Sequence, residues 1–177
     1  NVGEYKFIET STGTDVVVEY KDYRTTYQIS VLPEDLEGKL HFSSSSVESA
    51  PGGEFEITID LNNNPGIVAL SAYIEYDNDL FEVVEVKDEG LLPSFQTFAD
   101  YKPSVPLLWL DTNATEDNKN SDDKLVTVRF KVKEGNYDVA TYGMYTFKCV
   151  NGEAVNKKGE IIEIPDMAIK VKLNETT

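Results

Sequence analysis

The chain alternates apolar and polar residues in short runs, and turn-forming residues separate those runs. Hardly any window of ten residues spaces its apolar positions as a helix would. A period of two sends successive side chains to opposite faces of a strand, so each run can bury one face. The clearest runs are Phe55, Ile57, Ile59 and Leu61; Leu70, Ala72, Ile74 and Tyr76; and the stretch 125–132. Turn signals stand between them at Pro51-Gly52-Gly53, Asn64-Pro65-Gly66, Asp77-Asn78-Asp79, Glu134-Gly135-Asn136 and Asn151-Gly152. Strands at such intervals predict an all-β, antiparallel sandwich. No internal repeat with a period of about 20–50 residues is evident.

Charge narrows the function classes. The 177 residues carry 16 Lys+Arg against 32 Asp+Glu, a formal net charge of −16. Such a chain repels phosphate backbones and anionic headgroups, so nucleic acid and acidic membranes are excluded as partners. A hydrophobic fraction of 40% with Tyr 10, Phe 8 and Trp 1 supplies a packed core, so acidity here does not mean disorder. Neither a membrane span nor a signal peptide is expected, and with Asn1 first the chain reads as an excised module.

Little of the composition can do chemistry. One cysteine, Cys149, builds neither a disulfide nor a thiolate metal site. It falls in phase with Phe147, which predicts a small buried apolar residue. His41 beside Phe42 is expected to pack rather than act as a base, and Arg24 and Arg129 are the only arginines. No glycine-rich phosphate loop is present. With so many acids, pairs such as Asp77/Asp79 or Asp122/Asp123 cannot be promoted to glycosidase carboxylates by spacing. An enzyme is therefore not expected. The acidic loop 113–124 offers Asn118, Asn120 and Asp122 at alternate positions, as a calcium loop would, but the glycine and glutamate of an EF-hand are missing. A solvated turn is the expectation there, with no metal and no cofactor.

Residues 1–38 read apart from the rest. Strand candidates at 5–9, 15–20 and 26–31 precede the acidic, proline-containing break 32–38. Three strands seldom bury enough surface to stand alone, so this segment is expected to pack on the main sandwich, the other reading being the end of a preceding module. The domain boundary falls near residue 38, with the sandwich over 39–174. If Ala72, Ile74 and Tyr76 face inward, Ser71, Tyr73 and Glu75 face outward, which exposes a large ring at Tyr73. In LLWLD the same alternation sends Leu107 and Trp109 inward and Leu108 and Leu110 outward.

Several segments, in order, resemble the cohesin modules of bacterial cellulosome-type scaffolds, from about residue 40 to 173. Ser49-Ala50-Pro51-Gly52-Gly53 leads into EFEITIDL; Asn64-Pro65-Gly66-Ile67 precedes LSAYIEYDNDLFEVVEV; LLWLD closes an apolar strand on Asp111. DDKLVTVRFKVKEG follows, with Lys124 where the family usually has glycine, and VNGEAVNKKGEIIEI and MAIKVKL resemble the last strand pair. The resemblance implies a jelly-roll sandwich of about nine strands. It implies a non-catalytic, extracellular or cell-surface module that binds a dockerin, a small helical module on another protein that carries its own calcium. In the family one flat sheet face makes that contact, built here from 69–76, 95–101, 107–111 and 150–160. The matching positions are Ser71, Tyr73 and Glu75; Leu108, Leu110 and Asp111; Ala154, Lys157 and Lys158; and Gln96 and Tyr101 from the proline-containing segment. Family members often place Asp or Asn where Ala69 and Ser71 stand.

Two other readings fit the same sandwich. A carbohydrate-binding module would stack a polysaccharide on Tyr73, Tyr101, Trp109, Tyr20, Tyr23 and Tyr27. A structural or adhesin-type spacer would use 1–38 as part of a neighbouring unit. The outward leucines favour a protein partner over a glycan.

Overall fold

The computed structural model describes residues 11–20, 23–31, 36–92, 95–96, 98, 100–113, 121–135 and 143–174, the first two stretches as backbone only. Two strands, β1 (Ser11–Tyr20) and β2 (Tyr23–Val31), pair antiparallel as a separate two-stranded sheet, with Tyr20 opposite Tyr23. The expected strands at 15–20 and 26–31 thus start earlier than the alternation suggests, and the one at 5–9 lies outside the described residues.

The remaining strands build two sheets. They are β3 (His41–Ser43), β4 (Val47–Ser49), β5 (Glu54–Asn62), β6 (Ala69–Glu75), β7 (Phe81–Asp88), β8 (Ser104–Leu110), β9 (Asp123–Val132), β10 (Gly143–Val155), β11 (Ile161–Ile164) and β12 (Met167–Leu173). A four-stranded sheet runs β3-β5-β9-β7, and a six-stranded sheet runs β4-β12-β10-β6-β8 with β11 beside β10. The strand count exceeds the expected nine for two reasons. The segment 41–49 crosses from one sheet to the other as β3 and β4, and Pro165-Asp166 splits the last strand into β11 and β12. Pairing is antiparallel except between β4 and β12, which run parallel because the crossing segment enters the second sheet beside the final strand.

The inward faces are those the alternation picks out. Phe55, Ile57, Ile59 and Leu61, and Leu70, Ala72, Ile74 and Tyr76, are all buried between the sheets. An aromatic cluster fills the middle: Phe81 and Phe147 have ring centroids 4.9 Å apart, Phe130 and Phe147 5.0 Å, and Phe55 stacks on Phe130 at 5.7 Å. Edge-on and offset rings pack densely without unfavourable quadrupole contacts. Cys149 and Trp109 are core residues, as is His41, whose Nδ1 lies 2.8 Å from the carbonyl oxygen of Lys39. A bulge between Ile59 and Asp60 on the β5–β9 ladder lets the consecutive Leu125 and Val126 both be buried. No helix among the described residues is long and apolar enough to cross a membrane.

Two local expectations fail. Asn151-Gly152 is not a turn but a bulge inside β10, where the register steps from Val150 opposite Tyr73 to Glu153 opposite Ser71. Asn151 takes the left-handed conformation (φ 52°), and a Cβ on Gly152 would lie 2.7 Å from Ile164 Cβ, so the strand bends there instead of ending. Second, 95–101 supplies no strand among its described residues. Its Gln96 N–H donates to the Leu108 carbonyl at 3.0 Å, a single bond along the outer edge of β8.

Candidate functional site

The outer face of the six-stranded sheet is organised by register. Across β8, β6 and β10, Pro106 lies opposite Tyr73 and Tyr73 opposite Val150. The next rung places Leu108, Ser71 and Glu153 side by side, and the one after it Leu110, Ala69 and Val155. On the other side of Tyr73, Ser104, Glu75 and Lys148 form a rung. Neighbouring strands lie about 4.8 Å apart, so these side chains make one continuous surface.

Its centre is apolar. Tyr73 is 37% exposed and Leu110 57%, while Leu108 and Pro106 are half-buried between them. Val150 is buried beside Tyr73 yet takes no part in the core cluster, because the register turns it outward. The rim is charged: Glu75, Lys148 and Glu153 are exposed, and Lys170 on β12 donates to Thr146 Oγ1 at 2.9 Å. Lys157 and Lys158 occupy the turn between β10 and β11. Asn156 shapes that turn by accepting the N–H groups of Lys158 (2.9 Å) and Glu160 (3.0 Å) on its Oδ1.

Of the residues expected on this face, Ser71, Tyr73, Glu75, Leu108 and Leu110 do lie together on it, and Lys157 and Lys158 sit exposed at its end. Ala154 does not. It is fully buried, because the bulge at Asn151-Gly152 shifts the phase of β10 by one residue and turns Glu153 outward in its place. A one-residue slip of this kind is invisible to alternation counted from Cys149. Asp111 and Tyr101 border the face in structural roles. The Asp111 carboxylate accepts the Asn113 N–H at 2.9 Å, closing the turn after β8. Tyr101 packs against the core, takes the Phe98 N–H on its Oη at 3.1 Å, and accepts the Tyr76 hydroxyl proton on its carbonyl at 2.8 Å. Burial, with Asp100 nearby, pushes the Tyr76 phenol above its ordinary range.

The other candidate chemistry resolves into structure. Residues 114–120 of the acidic loop lie outside the described residues. Asp122, at the loop's end, accepts the N–H groups of Asn63 (3.0 Å) and Asn64 (2.8 Å), so its carboxylate anchors the turn before β6. Asp77 likewise holds its own turn by accepting the Asp79 N–H at 3.0 Å. As for stacking platforms, Trp109 is 3% exposed and Tyr101 is engaged in its loop, which leaves Tyr73 as the exposed aromatic of this face among the described residues; the side chains of Tyr20, Tyr23 and Tyr27 lie outside them.

Comparison with known proteins agrees with this architecture. A family model described as "Cohesin domain" matches residues 40–162. Among solved structures, the OlpA cohesin of Clostridium thermocellum, solved in a type I cohesin–dockerin complex, is 20% identical with a TM-score of 0.63, over 77% of this chain and 99% of that one. The cohesin CaCohA2 of Clostridium acetobutylicum is 14% identical with a TM-score of 0.65, over 77% and 91%. A non-cellulosomal cohesin of the archaeon Archaeoglobus fulgidus is 14% identical with a TM-score of 0.61, over 77% and 91%. A search of curated protein sequences returns no match. A jelly-roll sandwich with an apolar-centred outer sheet face, matched by the family model over most of its length, assigns the chain to the cohesin domain family.

Proposed function

We propose that this chain is a non-catalytic binding module that holds a dockerin of another protein on the outer face of its six-stranded sheet. The observation that carries the reading is the patch of Tyr73, Val150, Pro106, Leu108 and Leu110, an apolar centre with a charged rim on an otherwise strongly charged molecule. That is the anatomy of a protein interface: a desolvated centre supplies affinity, and rim charges set register and association rate. A standard interface of about 800 Å² per partner fits on one sheet face. The OlpA and OlpC neighbours were solved with the dockerins Doc918 and Doc435, which supports the same class of partner here. The calcium belongs to the partner in this reading, and the setting is an extracellular or cell-surface assembly for polysaccharide breakdown. A polysaccharide ligand is disfavoured, since stacking needs several exposed rings on one face and Trp109 is buried.

Calorimetric titration with a panel of calcium-loaded dockerins, Doc918 and Doc435 among them, tests the proposal. Saturable one-to-one binding that is lost when the dockerin's calcium is chelated is the expected result. Retardation on cellulose, xylan or starch gels with no dockerin bound would replace it with the carbohydrate-binding reading.

A further inference from the structure

An unpaired strand edge is a template on which another chain can pair, and folds blunt such edges with shortness, proline, bulges or charge. In the sandwich every edge strand among the described residues is blunted. β3 and β4 have three residues each, and β11 has four. β7 is bulged between Val83 and Glu85, and β8 contains Pro106 and takes the Gln96 N–H on its Leu108 carbonyl. In the separate sheet, β1 is bulged between Ser11 and Thr14 and carries Asp15 and Glu19. β2 is the exception. Its nine residues keep one unbroken register, with no proline, glycine or acid and with Arg24 as its single charge. Among the described residues no strand lies on its far side.

We propose that β2 is a self-association edge: it pairs antiparallel with β2 of a second copy of this chain about a twofold axis, joining two hairpins into one four-stranded sheet. The proposal is independent of the dockerin reading. By the β1–β2 register, Val16, Val18, Tyr20, Tyr23, Tyr27 and Ile29 fall on one face of the hairpin. A lone two-stranded hairpin is marginal in water, whereas three or more strands sharing an apolar face are stable. Two hairpins joined edge to edge cross that threshold. Full overlap of the nine residues centres the axis on Tyr27, opposite its own counterpart. It sets Thr25 opposite Ile29, Tyr23 opposite Val31, Arg24 opposite Ser30 and Thr26 opposite Gln28, each pair occurring on both sides of the axis. Residues directly opposite share a face, so the apolar positions of both copies stay together. No like charges meet, which makes the strand complementary to itself, as a twofold interface requires. Self-pairing of β1 would instead gather Asp15 and Glu19 of both copies at the joint.

Sedimentation velocity of the full chain over a concentration series tests the proposal, with a dimer dissociation constant on the order of 10 μM expected. Thr26→Lys with Gln28→Lys sets like charges opposite each other on both sides of the axis and should weaken the dimer by about tenfold or more. Thr26→Glu with Gln28→Lys sets opposite charges at the same places and should restore it. Both double variants put a lysine opposite Asp15 within the hairpin, so a difference between them reports the joint between copies and not the hairpin itself. Circular dichroism confirms that each variant is folded. An unaltered chain that stays monomeric up to about ten times that concentration, or a dimer constant that is the same in the two double variants, overturns the pairing.

Discussion

Tyr73, the anchor of the proposed interface, owes its position to its two neighbours in the chain. Its ring stands outward because Ala72 and Ile74 on either side are drawn inward, and Val150 and Pro106 flank it on the neighbouring strands. A rigid aromatic with a polar tip loses little conformational entropy when a partner covers it. Tyr73→Ala should weaken dockerin binding by more than about 1 kcal/mol with the fold intact, by calorimetry alongside circular dichroism. Gly152 is the opposite case, since its importance lies in what it lacks. An added methyl group would meet Ile164 Cβ at 2.7 Å, the Ile164 carbonyl oxygen at 3.0 Å and the Phe42 ring at 3.2 Å. Gly152→Ala should therefore cost about 1–3 kcal/mol in chemical denaturation, and should also disturb the positions of Glu153 and Ile161.

At the scale of elements, turns in this protein are held by carboxylates and carboxamides. Asp122 reaches from the start of β9 to accept two backbone N–H groups of the turn between β5 and β6, tying three strands at one point. Removing the acceptor leaves those donors with poorer partners, so Asp122→Ala should lower stability by about 1–2 kcal/mol. An unchanged denaturation midpoint would show that water replaces the carboxylate at no cost. The bulges act at the same scale. One in β7, between Val83 and Glu85, interrupts the ladder of a strand that stands at the end of its sheet among the described residues, where a bulge discourages pairing with other chains. The one in β10 decides which residues of its second half reach the outer face.

For the whole molecule, the family match leaves the N-terminal segment outside. The sandwich carries its own core, so deletion of residues 1–38 should leave it folded, with Tm shifted by no more than about 4 °C and dockerin affinity retained. Loss of folding on deletion would make the segment part of the domain. Alkaline pH probes the core directly. Burial, with Asp166 a smaller contributor, pushes the Cys149 thiol from 9.0 up to about 12. The folded state thus favours the neutral thiol, and that contribution to stability is complete below pH 9 and lost as pH rises from 9 towards 12. Between pH 9 and 10.5 the stability of Cys149→Ala should fall less steeply than that of the unaltered chain. Alkylation of Cys149 at pH 8.5 should be negligible until denaturant is added.

Much of this protein can be read from residue order because a sandwich strand has only two faces. Alternation placed Phe55 to Leu61 and Leu70 to Tyr76 in the core and Tyr73 outside it, and the ordered turns and strands pointed to the cohesin architecture. What alternation cannot carry is phase across an irregularity. The family resemblance puts Ala154 outward, yet it is core; Asn151-Gly152 reads as a turn, yet it bends a strand; and nothing in the residue pattern marks Glu153. Those positions depend on whether a backbone of 13 residues pairs with β6 straight or bulged, and at the bulge Gly152 lies so close to Ile164 and Phe42 on other strands that a side chain there would clash. Local sequence sets the period of a strand. Only packing between strands distant in the chain sets where that period slips, and here the slip determines which side chains reach the outer face.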